Sequence, residues 1–99
     1  MLRTEELLNT ASAGTGNWFQ LDYKSDTAKE RLIHGIVAVG DTIIIQGTII
    51  ENTADITSND IVDIADYTDD FKTILSGDWT HIRILKTGAN GNAYIKGRI

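Results

Sequence analysis

The feature that most constrains this chain is its content of β-branched residues. Fifteen isoleucines, twelve threonines and three valines make up 30 of the 99 residues, whereas leucine occurs seven times. β-Branched side chains are stiff at χ1 and pack better on a pleated sheet than in a helix. The composition therefore predicts an all-β protein, and the length allows one domain with a modest core.

Turn signals divide the chain into about seven or eight short strands. Alternation of apolar and polar residues predicts strands over 18–23, 32–39, 42–50, 61–65, 71–75, 79–87 and 93–99. Turn signals every eight to twelve residues are typical of a β-sandwich or a small barrel. We predict an antiparallel, jelly-roll-like β-sandwich. Gly40-Asp41 predicts a hairpin between the second and third strands, and Gly47 marks a bulge or a close approach.

The start of the chain differs in pattern from the rest. Met1–Thr10 contains good helix formers and predicts a short helix that is too short to be stable alone. We therefore divide the chain into an N-terminal arm, residues 1–16, and a single sandwich domain, residues 17–99. Leu2, Leu7 and Leu8 are the arm residues that we expect to contact a partner; the alternative is a frayed terminus.

Composition and charge exclude several classes of function. The chain has no cysteine, which excludes disulfides, thiol chemistry and cysteine-ligated zinc. Its net charge of −5 argues against a nucleic-acid partner. No apolar run is long enough to span a membrane, and the start has no apolar region typical of a signal peptide.

The charge is distributed unevenly along the chain. Residues 51–80 carry a net −7, whereas residues 81–99 carry +4. The four basic residues of this last part, which are Arg83, Lys86, Lys96 and Arg98, are therefore candidate interface residues. They would contact an acidic partner or a neighbouring copy of the chain. The alternative is that they balance acidic strands within one molecule.

The titratable groups do not form a recognisable catalytic or metal-binding motif. His34 and His81 lie in predicted strands without companions at ligand spacing, and we interpret both as structural histidines that form hydrogen bonds or line an interface. The six aspartates between Asp55 and Asp70 lack the spacing of a calcium loop and are typical of turns and solvent-facing positions. We expect no enzyme activity, no metal and no cofactor.

The aromatic residues support two interpretations. Trp18, Tyr23, Tyr67, Trp79 and Tyr94 could form a sugar-binding platform, because exposed aromatic rings often mark binding sites. In a small sandwich, however, a tryptophan at the start of a strand more often packs into the core. We expect Trp18 and Trp79 to be buried.

Several segments resemble small β-sandwich proteins of tailed-phage virions. They are GTGNWFQL (14–21), DTIIIQGTI (41–49), VDIADYT (62–68) and SGDWTHIRILKTG (76–88), followed by a last strand. In this family a W-x-x-[IV]-[RK] strand precedes a TG-x-x-G turn, and the resemblance covers residues 14–99. Such sandwiches serve as capsid decoration (cement) proteins, head-fibre knobs and tail or baseplate modules.

The resemblance implies a non-enzymatic virion component, often trimeric, that binds the capsid lattice. It implies the major capsid protein and further copies of this chain as partners, and the outer capsid surface as the location after synthesis in the bacterial cytoplasm. The alternative function is a carbohydrate- or host-binding module of a tail fibre or baseplate.

Overall fold

The computed structural model describes residues 3–21 and 30–99, and within these ranges the chain forms nine strands and two short 3-10 helices. The strands are β1 (Thr4–Thr10), β2 (Gly14–Thr15), β3 (Phe19–Gln20), β4 (Glu30–Ile36), β5 (Thr42–Thr48), β6 (Val62–Tyr67), β7 (Phe71–Ser76), β8 (His81–Thr87) and β9 (Ala93–Arg98). The 3-10 helices, Thr53–Asp55 and Ser58–Asp60, lie between β5 and β6. The prediction of an all-β protein is confirmed.

The strands form two antiparallel sheets packed face to face. The four-stranded sheet has the order β1-β9-β4-β7, and the five-stranded sheet has the order β2-β8-β5-β6, with β3 also paired to β8. Because β2 and β3 pair with successive parts of β8, they act as one interrupted strand. Counted in that way, the eight strands follow the order of a jelly roll. The predicted sandwich class is confirmed.

The core lies between the inner faces of the two sheets. Twelve apolar residues of the described chain are buried there: Leu7, Leu21, Ile33, Val37, Ile43, Ile45, Leu75, Ile82, Ile84, Ala93, Ile95 and Ile99. Seven are isoleucines with no exposed surface. Burying one such side chain stabilises the fold by roughly 1.5–3 kcal/mol, which explains why a chain so rich in isoleucine folds as a sandwich.

The helix predicted over residues 1–10 is wrong in its described part. Residues 4–10 form β1, which pairs with β9 at the edge of the four-stranded sheet. Glu6 lies opposite Lys96 and Leu8 opposite Ile95, so Leu7 is the extra residue of a β-bulge. The bulge turns both leucines toward the core, which outweighs the weak helix propensity of a short segment. The described part of the predicted arm, residues 3–16, is thus packed in the sandwich.

The hairpin predicted at Gly40-Asp41 is also wrong. The two strands that flank this turn, β4 and β5, belong to different sheets. The turn therefore carries the chain across the sandwich, and Asp41 is buried at the end of this crossing, with 1% of its surface exposed. The buried carboxylate of Asp41 stabilises this connection between the two sheets. A turn signal in the sequence does not show whether the flanking strands pair with each other or lie in different sheets.

The close approach predicted at Gly47 is confirmed, and the nearby bulge is on β6, where Ile64 is the extra residue. The register of β5 against β6 shifts beside it, between Ile45 and Gln46. A Cβ atom on Gly47 would lie 2.6 Å from Ile64 Cδ1 and 2.9 Å from Trp79 Cε3. Only a glycine leaves room for these two side chains on the strand.

Candidate interaction surface

The outer face of the four-stranded sheet combines exposed apolar side chains with cations. It consists of the outward residues of β4, β7 and β9, which are Glu30, Leu32, His34, Ile36, Lys72, Ile74, Ser76, Tyr94, Lys96 and Arg98. Leu32 is 46% exposed, Ile36 57% and Ile74 59%. Leu32 lies directly opposite Ile74, so their side chains are neighbours on the sheet. Leu32 and Ile74 form one exposed apolar pair, and Ile36 is exposed further along β4; exposed apolar side chains grouped on one face mark a candidate interaction site.

A row of basic and imidazole side chains crosses the middle of this face. His34 on β4 lies opposite Lys72 on one side and Lys96 on the other. Glu6 on β1 lies opposite Lys96 in the register, yet neither lysine forms an ion pair within residues 3–21 and 30–99. The two ammonium groups are therefore available to a partner.

A groove of about 200 Å³ opens on the same face beside this row. It is lined by Thr4, Leu32, His34, Lys96, Gly97 and Arg98. The Arg98 guanidinium lies at its rim and donates a 3.3 Å hydrogen bond to the Thr4 hydroxyl. The groove thus has an aliphatic side chain, an imidazole and two cations around one opening.

The outer face of the five-stranded sheet is built differently. The Arg83 guanidinium lies 4.5 Å above the Trp18 ring and donates a 2.8 Å hydrogen bond to Gln46 Oε1. Gln46 in turn donates a 2.7 Å hydrogen bond to Asp63 Oδ1. Trp18, Arg83, Gln46 and Asp63 thus contact one another in a row, which we call the ladder. Its two charged groups, on Arg83 and Asp63, both have partners within the molecule.

Lys86 takes part in a buried polar cluster at one end of the sandwich. Its ammonium lies 3.2 Å from Asp41 Oδ2 and donates to the carbonyls of Ala11 at 2.9 Å and Gly88 at 2.8 Å. Asn90 donates to Asp41 from its backbone amide, at 3.0 Å, and from its side chain, at 2.8 Å. The cluster joins three connections: β1–β2, β4–β5 and β8–β9. We refer to these residues as the clasp, in which Lys86 and Asp41 are buried.

The environment of Asp41 stabilises its charged form. The hydrogen bond from the Asn90 backbone amide is the largest cause that holds the pKa of this carboxyl below its ordinary value. Burial acts in the opposite direction, whereas the Asn90 side chain and the Lys86 ammonium lower the pKa further. Gly88 has a φ of +86°, and a Cβ there would overlap Asp41 Oδ1, so the clasp also requires a glycine.

The structure divides the predicted interface residues into separate environments. Lys96 and Arg98 lie on the exposed outer face of the four-stranded sheet, as an interface requires. Arg83 is half-buried in the ladder, and Lys86 is in the clasp with 1% of its surface exposed. Lys86 is inaccessible because alternation places it on the same side of β8 as Ile82 and Ile84.

The predicted apolar contacts of the arm are also placed differently. Leu7 is 3% exposed and Leu8 is half-buried against the core, so the bulge turns both away from a partner on the surface. Leu2 lies outside the described residues. Leu32, Ile36 and Ile74, which sequence reasoning did not single out, are the exposed apolar side chains beside the cations. Their signal is that the two predicted strands, 32–39 and 71–75, carry apolar residues on both faces.

His81 and the acidic segment have structural surroundings, whereas His34 lines the groove. His81 is buried, and its Nδ1 lies 3.2 Å from the Ile50 carbonyl oxygen and 3.0 Å from Thr80 Oγ1. Asp60 caps the second 3-10 helix by accepting from Thr57, and Asp70 accepts a 2.8 Å hydrogen bond from the Val37 amide. In the described chain no three acidic or histidine side chains are grouped as metal ligands.

The aromatic rings pack against their own neighbours. Tyr67 stacks on Phe71 with ring centroids 3.9 Å apart. Trp79 covers Gly47 and donates a 3.0 Å hydrogen bond to the Ser76 carbonyl, while Trp18 lies under Arg83. The expectation that both tryptophans are buried needs correction, because each is only half-buried. Their polar or cation-binding sides remain near the solvent, as is usual for indole rings.

None of the helices in residues 3–21 and 30–99 has the length and apolar character needed to cross a membrane. Comparison with known proteins found no matching family model, no matching curated protein and no matching solved structure.

Proposed function

We propose that this protein is a non-enzymatic structural protein of a tailed-phage virion, and specifically a capsid decoration protein that binds and stabilises the head shell. The observation that carries the proposal is the outer face of the four-stranded sheet, where Leu32, Ile36 and Ile74 are exposed next to Lys96 and Arg98. The resemblance of residues 14–99 to virion sandwiches supplies the biological setting.

The size and rigidity of this face suit attachment to a shell. A standard protein interface buries about 800 Å² on each partner. A domain that measures 38 × 26 × 17 Å has broad faces large enough for such an interface. Because the face is built on paired strands, little conformational entropy is lost when it binds. Reversible, non-covalent addition to a preformed lattice benefits from such a surface.

The partners that we propose are the major capsid protein and further copies of this chain in a homotrimer on the outer capsid surface. A domain of this size without disulfides gains stability from assembly, because binding that favours the folded state shifts the unfolding equilibrium. The trimer rests on the resemblance to virion sandwiches.

Co-sedimentation with phage heads tests the proposal. Heads that lack this protein are prepared from the phage in whose genome its coding sequence lies, and purified protein is added at increasing concentration. We expect saturable pelleting with the heads, and light scattering of the free protein at tens of micromolar should give the mass of a trimer. A strictly monomeric protein that does not bind the heads would overturn the proposal.

The carbohydrate-binding alternative receives less support from the described residues. A sugar platform needs an open aromatic face, whereas Trp18, Tyr67 and Trp79 each pack against a neighbouring group. Tyr94 is a half-buried ring on the outer face of the four-stranded sheet, and Tyr23 lies outside the described residues. Tryptophan fluorescence during titration with host polysaccharide separates the two functions. We expect no quenching, and saturable quenching would favour the alternative.

A further inference from the structure

We propose that the groove between β1, β9 and β4 receives an extended acidic segment of the shell protein, with the pattern apolar-x-acidic-x-apolar. The inference rests on the proposed function, because it names the chemistry of the shell segment that contacts this face. The acidic side chain of the segment would enter the groove lined by Leu32, His34, Lys96 and Arg98.

The spacing of the outward residues on β4 supports this pattern. Leu32, His34 and Ile36 alternate with buried positions, so they follow one another at every second residue on one face. An extended partner chain has the same period, with alternate side chains about 7 Å apart. An apolar-x-acidic-x-apolar segment therefore places its apolar side chains near Leu32 and Ile36 and its carboxylate near the row of His34.

The charges around the groove favour a carboxylate. Lys96 and Lys72 flank His34 on the two neighbouring strands and form no ion pair in the described ranges. Arg98 at the rim has a planar guanidinium that fits a carboxylate with two parallel hydrogen bonds. Two acids share this face, Glu6 opposite Lys96 and Glu30 at the start of β4, so the three cations of the described strands leave one positive charge in excess.

The distribution of charge over the whole chain favours a protein partner over a nucleic acid. The net charge is −5, and residues 51–70 contain seven acidic residues and no basic residue. A phosphate backbone would be repelled by this part of the molecule, whereas a short acidic segment needs only the local basic row. The exposed leucine and isoleucines beside the row are also unsuited to phosphates.

An NMR titration of the ¹⁵N-labelled protein tests the groove directly. The probes are acetyl-Val-Thr-Glu-Thr-Val-amide and the same peptide with glutamine in place of glutamate. We expect the glutamate peptide to shift the amide signals of residues 32–36 and 96–98, and to bind about fivefold more tightly than the glutamine peptide. Equal binding of the two peptides, or no shift at millimolar concentration, would overturn the inference.

Charge-neutral variants locate the effect. The double variant Lys96→Gln/Arg98→Gln should lose the preference for the glutamate peptide, whereas Arg83→Gln, which removes a charge from the outer face of the other sheet, should retain most of it. If both variants lose the preference for the glutamate peptide equally, the attraction is a general electrostatic one, and the assignment of the groove as the binding site is overturned. If the protein binds phage heads but does not prefer the glutamate peptide, this inference alone is overturned. If it prefers the glutamate peptide but does not bind phage heads, the proposed function alone is overturned.

Discussion

The strands β8 and β9 each carry two basic side chains, but those of β8 have partners within the molecule and those of β9 face outward. On β8, Arg83 is held in the ladder by Trp18 and Gln46, and Lys86 is enclosed by the clasp. On β9, Lys96 and Arg98 point outward from the four-stranded sheet. Both strands are central in their sheets, so position within a sheet does not explain the difference.

The difference comes from the residues that surround each side chain. Lys86 shares its side of β8 with two buried isoleucines, and so its charge must find partners inside the protein. Lys96 lies on the outward side of β9, where water already stabilises its charge. The net charge of a segment therefore does not identify an interface. Of the four basic residues of β8 and β9, Lys96 and Arg98 are the two that lie on an outward face next to exposed apolar residues.

The contrast between two lysines gives the largest expected effect. Lys86→Met leaves the carboxylate of Asp41 buried without its cation, and breaking a buried pair in this way costs about 3 kcal/mol of unfolding free energy. Lys96→Met, the matched control, should change the stability by less than about 0.5 kcal/mol. Urea unfolding measures both. Equal losses would show that Lys86 is not held as the clasp describes.

Acid should weaken the clasp. The pKa of Asp41 is lowered in the folded protein, so its charged form contributes stability that is fully present above the ordinary aspartate pKa of about 3.9. That contribution is lost as the pH falls below this value toward the folded pKa. We expect thermal unfolding curves from pH 6 to pH 2, roughly spanning this window, to converge for wild type and Asp41→Asn at the acidic end. A constant difference at every pH would contradict the assignment.

The ladder should contribute less than the clasp. Gln46→Ala removes the acceptor of Arg83 and the donor to Asp63, and half-buried hydrogen bonds to charged groups contribute about 1–2 kcal/mol. Chemical unfolding measures the loss, and Arg83→Met should give a loss that is not additive with it, because both act in one network. Additive losses would show that the ladder is not a connected unit.

The smallest effect is expected on the outer face of the four-stranded sheet. The double variant Lys96→Gln/Arg98→Gln should keep the unfolding free energy within about 0.5 kcal/mol of wild type, because these exposed cations form no buried contact. Urea unfolding checks this value. A larger loss would mean that the cations of β9 stabilise the fold rather than await a partner.

The sequence predicted most of the fold because the alternation of isoleucine along the strands follows the pleat. The same alternation places Lys86 on one side of β8 together with Ile82 and Ile84. The burial of Lys86 follows from that pattern rather than from its charge. The helix over residues 1–10 failed because pairing with β9 and the bulge at Leu7 are contacts between the two ends of the chain. No local signal contains them.

The candidate site could be predicted only in part. Lys96 and Arg98 are visible as basic residues of the last strand. Their apolar neighbours Leu32 and Ile74 come from β4 and β7, which the order β9-β4-β7 brings to one face. That order arises from long-range pairing, so a sequence pattern read segment by segment could not join these residues.

Binding of two isoleucine variants to phage heads tests most directly whether the outer face of the four-stranded sheet is the docking surface. Ile74 on this face is 59% exposed, and Ile49, at the other sheet beyond the end of β5, is 69% exposed. Since both are exposed, Ile74→Glu and Ile49→Glu should fold equally well. We expect Ile74→Glu to weaken co-sedimentation with heads by about tenfold or more and Ile49→Glu to leave it unchanged. Equal binding of the two variants, or a loss confined to Ile49→Glu, would contradict the assignment of the docking surface.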